Sequence, residues 1–230
     1  MNAHSRQTTA RWAIASAIGL GLALPMTSTV LAQSTPAAPV AATAAQAAAP
    51  DAFVKRITDE VFATVKADKG IQQGDLRRVQ AMVESKILPN VNLQRMTSAA
   101  VGRPWRQATP EQKQRLQDEF KNLLIYTYAG AAAQIKDQTI EYRPMRSRPE
   151  DAEVIVRTLV RNKGDAIQLD YRLEKAEGGW KIYDVNVLGA WLVQTYQSSF
   201  AQEVSASGID GLIAKLVERN KQLASRKAAS

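Results

Sequence analysis

The hydrophobic pattern of this chain changes period twice, and that limits the architectures open to it more than any other feature. Up to about Lys136 large apolar residues recur at helical spacing; from Ile140 to Val187 they alternate one by one; from Ala190 onward the helical spacing returns. A helix shows its apolar stripe every three or four residues and a half-buried strand every second residue, so the chain reads as helices, then a sheet, then helices. Segregated blocks of this kind specify an α+β fold, not the alternating units from which parallel sheets are built.

In the first block Val54, Ile57, Val61 and Val65 form one stripe. Leu76, Val79, Val83 and Ile87 form a second, started at Gly74-Asp75 and ended by Leu88-Pro89. A short helix from about Asn92 to Val101 stops at Gly102 and Pro104. Thr109 before Pro110, with Gln112 two residues further on, spells a capping box. A long helix to about Gln134 is therefore expected, with Leu116, Phe120, Leu123 and Leu124 on its apolar face. In the second block four runs alternate with polar neighbours: Ile140, Tyr142 and Pro144; Val154, Val156, Thr158 and Val160; Ile167, Leu169, Tyr171 and Leu173; Tyr183, Val185 and Val187. Asn162-Lys163-Gly164-Asp165 and Glu177-Gly178-Gly179 supply hairpin turns. The expectation is a curved antiparallel meander of about four strands, with helices from both ends of the sequence covering its apolar face. The closing helices run from Ala190 to about Ala206 and from Gly208, the second introduced by a capping box of Ser207 and Asp210.

Composition then removes chemistry. The 230 residues carry 30 Lys plus Arg, 22 Asp plus Glu, one His and no Cys. That histidine, His4, lies with Arg6 and Arg11 ahead of an apolar run over residues 12–24 and the sequence Val30-Leu31-Ala32, the pattern of a secretory signal peptide over residues 1–32. Residues 33–50, almost all Ala, Pro, Thr, Gln and Ser, read as a flexible leader. The folded domain is expected over residues 51–222, with a basic flexible tail over 223–230. Without its signal the chain has neither His nor Cys, which excludes a Ser-His-Asp triad, a Cys-His pair, a Cys/His zinc site, His-ligated haem and a redox dithiol. What survives is carboxylate, Lys, Tyr or Ser-Lys catalysis, or no catalysis at all. Removing Arg6 and Arg11 leaves 28 basic against 22 acidic residues, a mild excess without the dense runs of a nucleic-acid binder. No later apolar run approaches the roughly twenty residues that span a bilayer, so the product is expected to be soluble beyond the inner membrane. Lacking disulfides, it must be stabilised by hydrophobic burial alone.

The ordinary use of such apolar stripes is a filled core. Two features argue for unfilled volume. The inward set holds Tyr142, Tyr171 and Tyr183, with Tyr126, Tyr128 and Tyr196 on helices, and a buried tyrosine needs a partner for its hydroxyl. Small residues also cluster in the facing helix, at Ala129-Gly130-Ala131-Ala132-Ala133. A cavity lined by Val, Leu and Tyr suits an apolar ligand. Asp170 falls on the polar face with Gln168 and Arg172; Asp184 falls on the face opposite Tyr183 and Val185. A buried Asp184 near tyrosines could serve as the general base of an isomerase-type enzyme, while its commoner use is a surface salt bridge. A non-catalytic envelope adaptor with a collapsed interior is the third reading.

Two long motifs carry a family resemblance. Ile87-Leu88-Pro89, Arg95-Met96 and the stretch Val101-Gly102-Arg103-Pro104-Trp105-Arg106-Gln107-Ala108-Thr109-Pro110-Glu111-Gln112 resemble the periplasmic phospholipid-binding MlaC family, also called the toluene-tolerance family. So do Trp180-Lys181-Ile182-Tyr183-Asp184-Val185, Gly189, Leu192-Val193, Tyr196, Phe200 and Gly208-Ile209-Asp210-Gly211-Leu212-Ile213. The chain departs from the family's common pattern at Leu188, Trp191 and Gln197. The resemblance implies an NTF2-like fold with acyl chains held between sheet and helices and the head group near the surface. It implies a soluble, non-enzymatic periplasmic carrier with no metal and no cofactor, which holds phospholipid as cargo, shuttles it between outer and inner membranes and maintains outer-membrane lipid asymmetry. Its partners would be an outer-membrane lipoprotein complex and an inner-membrane ABC-transporter complex with an MCE-domain subunit. On that reading acyl chains contact Val154, Val156, Leu169, Tyr171, Val185 and Val187 of the sheet, with Tyr128, Leu192 and Tyr196 of the helices. Arg103, Arg106, Arg143 and Arg146 meet the head group or acidic partner surfaces.

Overall fold

A computed structural model describes residues 49–148, 150–162 and 165–228. The expected signal peptide, nearly all of the leader, the hairpin residues Lys163 and Gly164, and the last two residues of the tail lie outside the described residues. Pro50 opens α1 (Pro50–Ala67) at a position where its missing amide costs no hydrogen bond. Asp68 then caps α2 (Lys69–Gln72) by accepting the amides of Gly70 and Ile71, and Asp75 caps α3 (Leu76–Met82) in the same way. The chain leaves α3 through a π turn, Val83–Ile87, and a 3-10 turn, Leu88–Asn90, where Pro89 prevents further helix. Asn92 caps α4 (Leu93–Val101), and Gly102, at φ 73°, ends it before the 3-10 turn Arg103–Arg106. The capping box at Thr109 forms with both bonds, 3.2 and 3.0 Å, and α5 (Pro110–Ala132) follows.

The sheet has five strands, one more than expected, in an antiparallel meander: β1 (Thr139–Tyr142), β2 (Glu153–Asn162), β3 (Asp165–Ala176), β4 (Gly179–Val187) and β5 (Ala190–Trp191). The extra strand arises because Leu188 and Gly189, both at positive φ, fold Ala190 back opposite Val187. The expected helix start at Ala190 is thus corrected to Leu192, the first residue of α6 (Leu192–Ala228). This helix includes residues 223–228 and bends at Gly208, whose φ of 71° and ψ of −172° suit only glycine. The expected capping box does not form there. The Ser207 hydroxyl bonds back to the Glu203 carbonyl and carboxylate, and Asp210 instead accepts from Gln112 on α5.

Apolar residues collect in three clusters. Phe53, Val54 and Ile57 of α1 pack on Val156, Tyr171, Leu173, Trp180 and Ile182 of the sheet. Met96, Val101, Leu116, Phe120, Phe200 and Leu212 join α4, α5 and α6. Val65, Ile71, Val79, Met82, Ile125 and Ala129 join α1, α2 and α3 to α5. Side chains of this size contribute about 1.5–3 kcal/mol each when fully buried. The small-residue run expected to face the sheet is accounted for here: Ala129 and Ala132 let α5 sit close to the other helices.

Candidate functional site: an apolar sheet face open at one end

Cross-strand register places Val154, Val156, Thr158 and Val160 of β2 opposite Leu173, Tyr171, Leu169 and Ile167 of β3. Ile182, Val185 and Val187 of β4 stand opposite Leu173, Tyr171 and Leu169. These residues share one face of the sheet, because directly paired residues project to the same side. Helix α1 covers one end of that face only, and the principal packing of α5 is against α6, α3 and α4. Exposure consequently rises along β3 and β4 toward the end of the sheet nearest the β2–β3 hairpin, while on β2 both end residues, Val154 and Val160, are half-buried. On β2, Val156 and Thr158 are buried and Val160 is half-buried. On β3, Leu173 and Tyr171 are buried, Leu169 is half-buried and Ile167 is 40% exposed. On β4, Ile182 is buried, Val185 and Val187 are half-buried, and Leu188 just beyond them is 70% exposed. The result is an apolar surface packed at one end and open at the other.

The structure therefore brings together six of the sequence-derived residues, Val154, Val156, Leu169, Tyr171, Val185 and Val187. Tyr142 borders the group, its hydroxyl 2.6 Å from that of Thr58. Burial pushes the Tyr171 hydroxyl well above its ordinary range, so it stays protonated. The helical residues are placed elsewhere. Tyr196 packs edge-on against Phe120 in the helical cluster and borders a groove of about 580 Å³ between α5 and α6, with Phe200, Leu212 and Leu216. Leu192 is buried at the start of α6, and Tyr128 on α5 is 36% exposed. Arg103 and Arg106 are exposed on the 3-10 turn, where with Trp105 they line a surface pocket of about 540 Å³. Arg143 and Arg146 are exposed on the segment after β1, and Arg143 pairs with Glu141.

Tyr183 does not point inward as expected. A β-bulge pairs Arg172 with Asp184 and Leu173 with Ile182, leaving Tyr183 as the extra residue on β4. Its ring lies 3.7 Å from the guanidinium of Arg95, and its hydroxyl donates to Glu153 at 2.8 Å. Arg95 also donates to Glu153 and Glu174, so one α4 side chain joins three strands. Nothing local in the sequence announces this cluster, since its members are scattered over residues 95–183. The Arg95 hydrogen bond first, then that of Tyr183, holds the Glu153 carboxyl below its usual range against the cost of desolvation. A carboxyl depressed in the folded state adds stability that is complete above its unfolded pKa, about 4.3, and is lost as pH falls through the lower folded value. In Arg95→Met the melting temperature should fall less between about pH 5 and pH 3 than in the parent. Equal acid-side slopes in the two proteins would count against the network.

The polar sheet face is also more enclosed than expected. Asp170 is buried, accepting from the Thr158 amide at 3.2 Å and from Gln168 at 2.5 Å. Asp184 is 1% exposed, which corrects its expected place in a surface salt bridge. It accepts from Arg172 at 2.9 Å, from its neighbour Val185 at 2.9 Å and from the Val193 amide in the first turn of α6 at 3.1 Å, while Trp191 stacks over the arginine. Burial raises its pKa, partly offset by those two amides and Arg172. The carboxylate an isomerase would need thus lies on the face opposite the apolar one and fastens α6 to β4. Among the described residues no group of three or more His, Cys, Asp or Glu side chains could hold a metal ion. None of the described helices is long and apolar enough to cross a membrane.

Comparison with known proteins decides the family. A sequence model of the MlaC protein matches residues 55–218. The chain belongs to the MlaC family. Its α+β fold agrees with that of a phospholipid-binding protein from Ralstonia solanacearum, solved in complex with a phospholipid. That chain is 48% identical, with a TM-score of 0.74 over 76% of this chain and 98% of the other. The intermembrane phospholipid transport system binding protein MlaC of Haemophilus influenzae is 23% identical over 187 residues, 80% of this chain and 87% of that one. The toluene tolerance protein ttg2D of Pseudomonas putida is 26% identical over 162 residues, 70% and 75% of the two chains.

Proposed function

We propose that this MlaC-family protein is a periplasmic phospholipid carrier that holds acyl chains against the open end of its apolar sheet face. The observation that carries this reading is the kinship with the Ralstonia solanacearum protein, 48% identical and solved with a phospholipid bound. The half-buried residues Val154, Leu169, Val185 and Val187, with the buried Val156 and Tyr171 between them, supply the apolar wall. Tyr128, Leu192 and Tyr196 stand away from this wall, and Tyr196, which borders the groove between α5 and α6, marks the alternative location for the chains. Exposing two acyl chains to water costs on the order of 20 kcal/mol at about 0.8 kcal/mol per methylene, so unaided desorption from a membrane is very slow. A wall about as apolar as the bilayer makes transfer nearly neutral and removes the aqueous barrier. The site needs no catalytic residue, metal or cofactor on this reading, because the cargo leaves chemically unchanged.

Export by residues 1–32, a leader over 33–50 and a lipid-binding domain beginning at about residue 51 belong to the same proposal. So does shuttling between an outer-membrane lipoprotein complex and an inner-membrane ABC transporter with an MCE-domain subunit, which would maintain outer-membrane lipid asymmetry. Directionality must come from such a partner. Arg103, Arg106, Arg143 and Arg146 are the proposed contacts for phosphate or acidic partner surfaces, and association that does not weaken with ionic strength would remove them. Extraction of the purified protein with organic solvent, followed by mass spectrometry, tests the carrier itself. Phospholipid near one molecule per chain is expected; an empty, folded protein overturns the reading.

A further inference from the structure

The turn between β4 and β5 is built against local preference. Val187 and Ala190 pair across a two-residue connection whose central residues, Leu188 and Gly189, have φ of 54° and 88°. Positive φ at both positions favours Asn-Gly, Asp-Gly or Gly-Gly, because a side chain crowds the backbone in the left-handed region. Among the described residues Leu188 is the one non-glycine at positive φ. Burial does not compensate, since the side chain is 70% exposed. The turn is nonetheless held in place: the Gly189 amide donates to Asn186 at 2.8 Å, and the Leu188 amide donates to the carbonyl of Gln168 at 3.0 Å. That second bond fixes Leu188 beside β3, one residue from Ile167, which is itself 40% exposed on the apolar face. An exposed aliphatic residue on β3 and another just past β4 thus lie within one residue of each other in register, at the end of the sheet where Val160, Leu169 and Val187 are half-buried. A leucine held at positive φ while exposed to water carries a backbone cost that its own packing does not offset.

We propose that Leu188 and Ile167 form an apolar lip over which acyl chains pass into and out of the sheet face, and that the lip sets the rate of transfer and not the amount of lipid held. This rests on the carrier reading above. A chain in transit has methylenes in neither membrane nor wall, and each one kept from water lowers the barrier to passage. A chain at rest lies beyond the lip, on the half-buried valines and Leu169, so the lip contributes little to the bound state. Loading and release share the same passage and must slow together when the lip is lost.

The test uses the full exported chain and vesicles of phosphatidylethanolamine and phosphatidylglycerol carrying a pyrene-labelled phospholipid. Leu188→Gly and Leu188→Asn both accept positive φ, so the fold is kept, and Ile167→Thr keeps a β-branched strand residue. Each Leu188 variant should slow both loading and release about tenfold, the effect of losing much of one leucine's apolar contact in transit. Lipid per chain, measured by extraction, should match the parent, and Leu188→Met should restore most of the rate. Parental rates in the Leu188→Asn, Ile167→Thr double variant would overturn the lip. So would a loss of bound lipid at rest, or vesicle rates that stay parental while binding to a protein partner is lost. A parent that neither carries nor transfers lipid would overturn the carrier reading, and the lip with it.

Discussion

Val185→Arg is expected to empty the protein of lipid without unfolding it. Val185 stands opposite Tyr171 on the apolar face and is half-buried, at the point where packed core gives way to open surface. A guanidinium cannot stay in the apolar interior, because an unpaired buried charge costs several kcal/mol. From this position it need not: the aliphatic stem can lie along the sheet and carry the charge to the open end. The fold survives, but the arginine then occupies the wall that acyl chains would use. If it keeps only three methylenes from the surface, retention loses about 2.4 kcal/mol, roughly fiftyfold. Solvent extraction should recover under about a tenth of the parental lipid, with unchanged circular dichroism. Val156→Arg supplies the contrast. That residue is 1% exposed beneath α1, its substituent has no route to water, and the variant should fail to fold. A folded Val185→Arg protein with its full lipid content would place the cargo elsewhere.

The layout of helix, sheet and helix was legible because hydrophobic period is a local property, and so were the helix starts at Asp75 and Thr109, where a side chain meets amides two or three residues away. The set of strand residues sharing the apolar face was legible for the same reason, except at Tyr183. There the alternation continues in the sequence, but the bulge adds a residue and turns the ring out to Arg95. No count of every second residue can detect an insertion that only the partner strand reveals. Asp184 was assigned the correct face and the wrong environment. Its burial depends on Trp191 and the start of α6, which reach it because Leu188 and Gly189 reverse the chain. That turn had a signal in the sequence: a glycine between two short apolar runs, with leucine where asparagine would be expected. The unequal cover over the sheet had none, because it depends on where α5 packs.

Phe120→Ala should produce the largest loss of stability among changes that leave the sheet untouched. The ring is fully buried between α5 and α6, edge-on to Tyr196 at 5.1 Å and to Phe200 at 5.3 Å. Truncating such a ring typically costs about 3–5 kcal/mol, through lost transfer energy and the cavity left behind. Tyr196 and Phe200 also border the groove between α5 and α6, so they can lean into the space, and the lower end, about 3 kcal/mol, is expected. At roughly 2–4 °C per kcal/mol for a domain of this size, the melting temperature should drop by about 10 °C. Phe120→Leu, which keeps most of the volume, should lose less than half as much. Lipid content separates two locations for the cargo. If acyl chains lie on the sheet face, the variant kept well below its melting temperature retains parental lipid per folded chain, since Phe120 belongs to the helical cluster. If instead they lie in the groove beside Tyr196 and Phe200, collapse of those rings into the space alters the groove wall, and lipid is lost from protein that is still folded. Lipid loss here together with retention in Val185→Arg would move the site from the sheet to the helices.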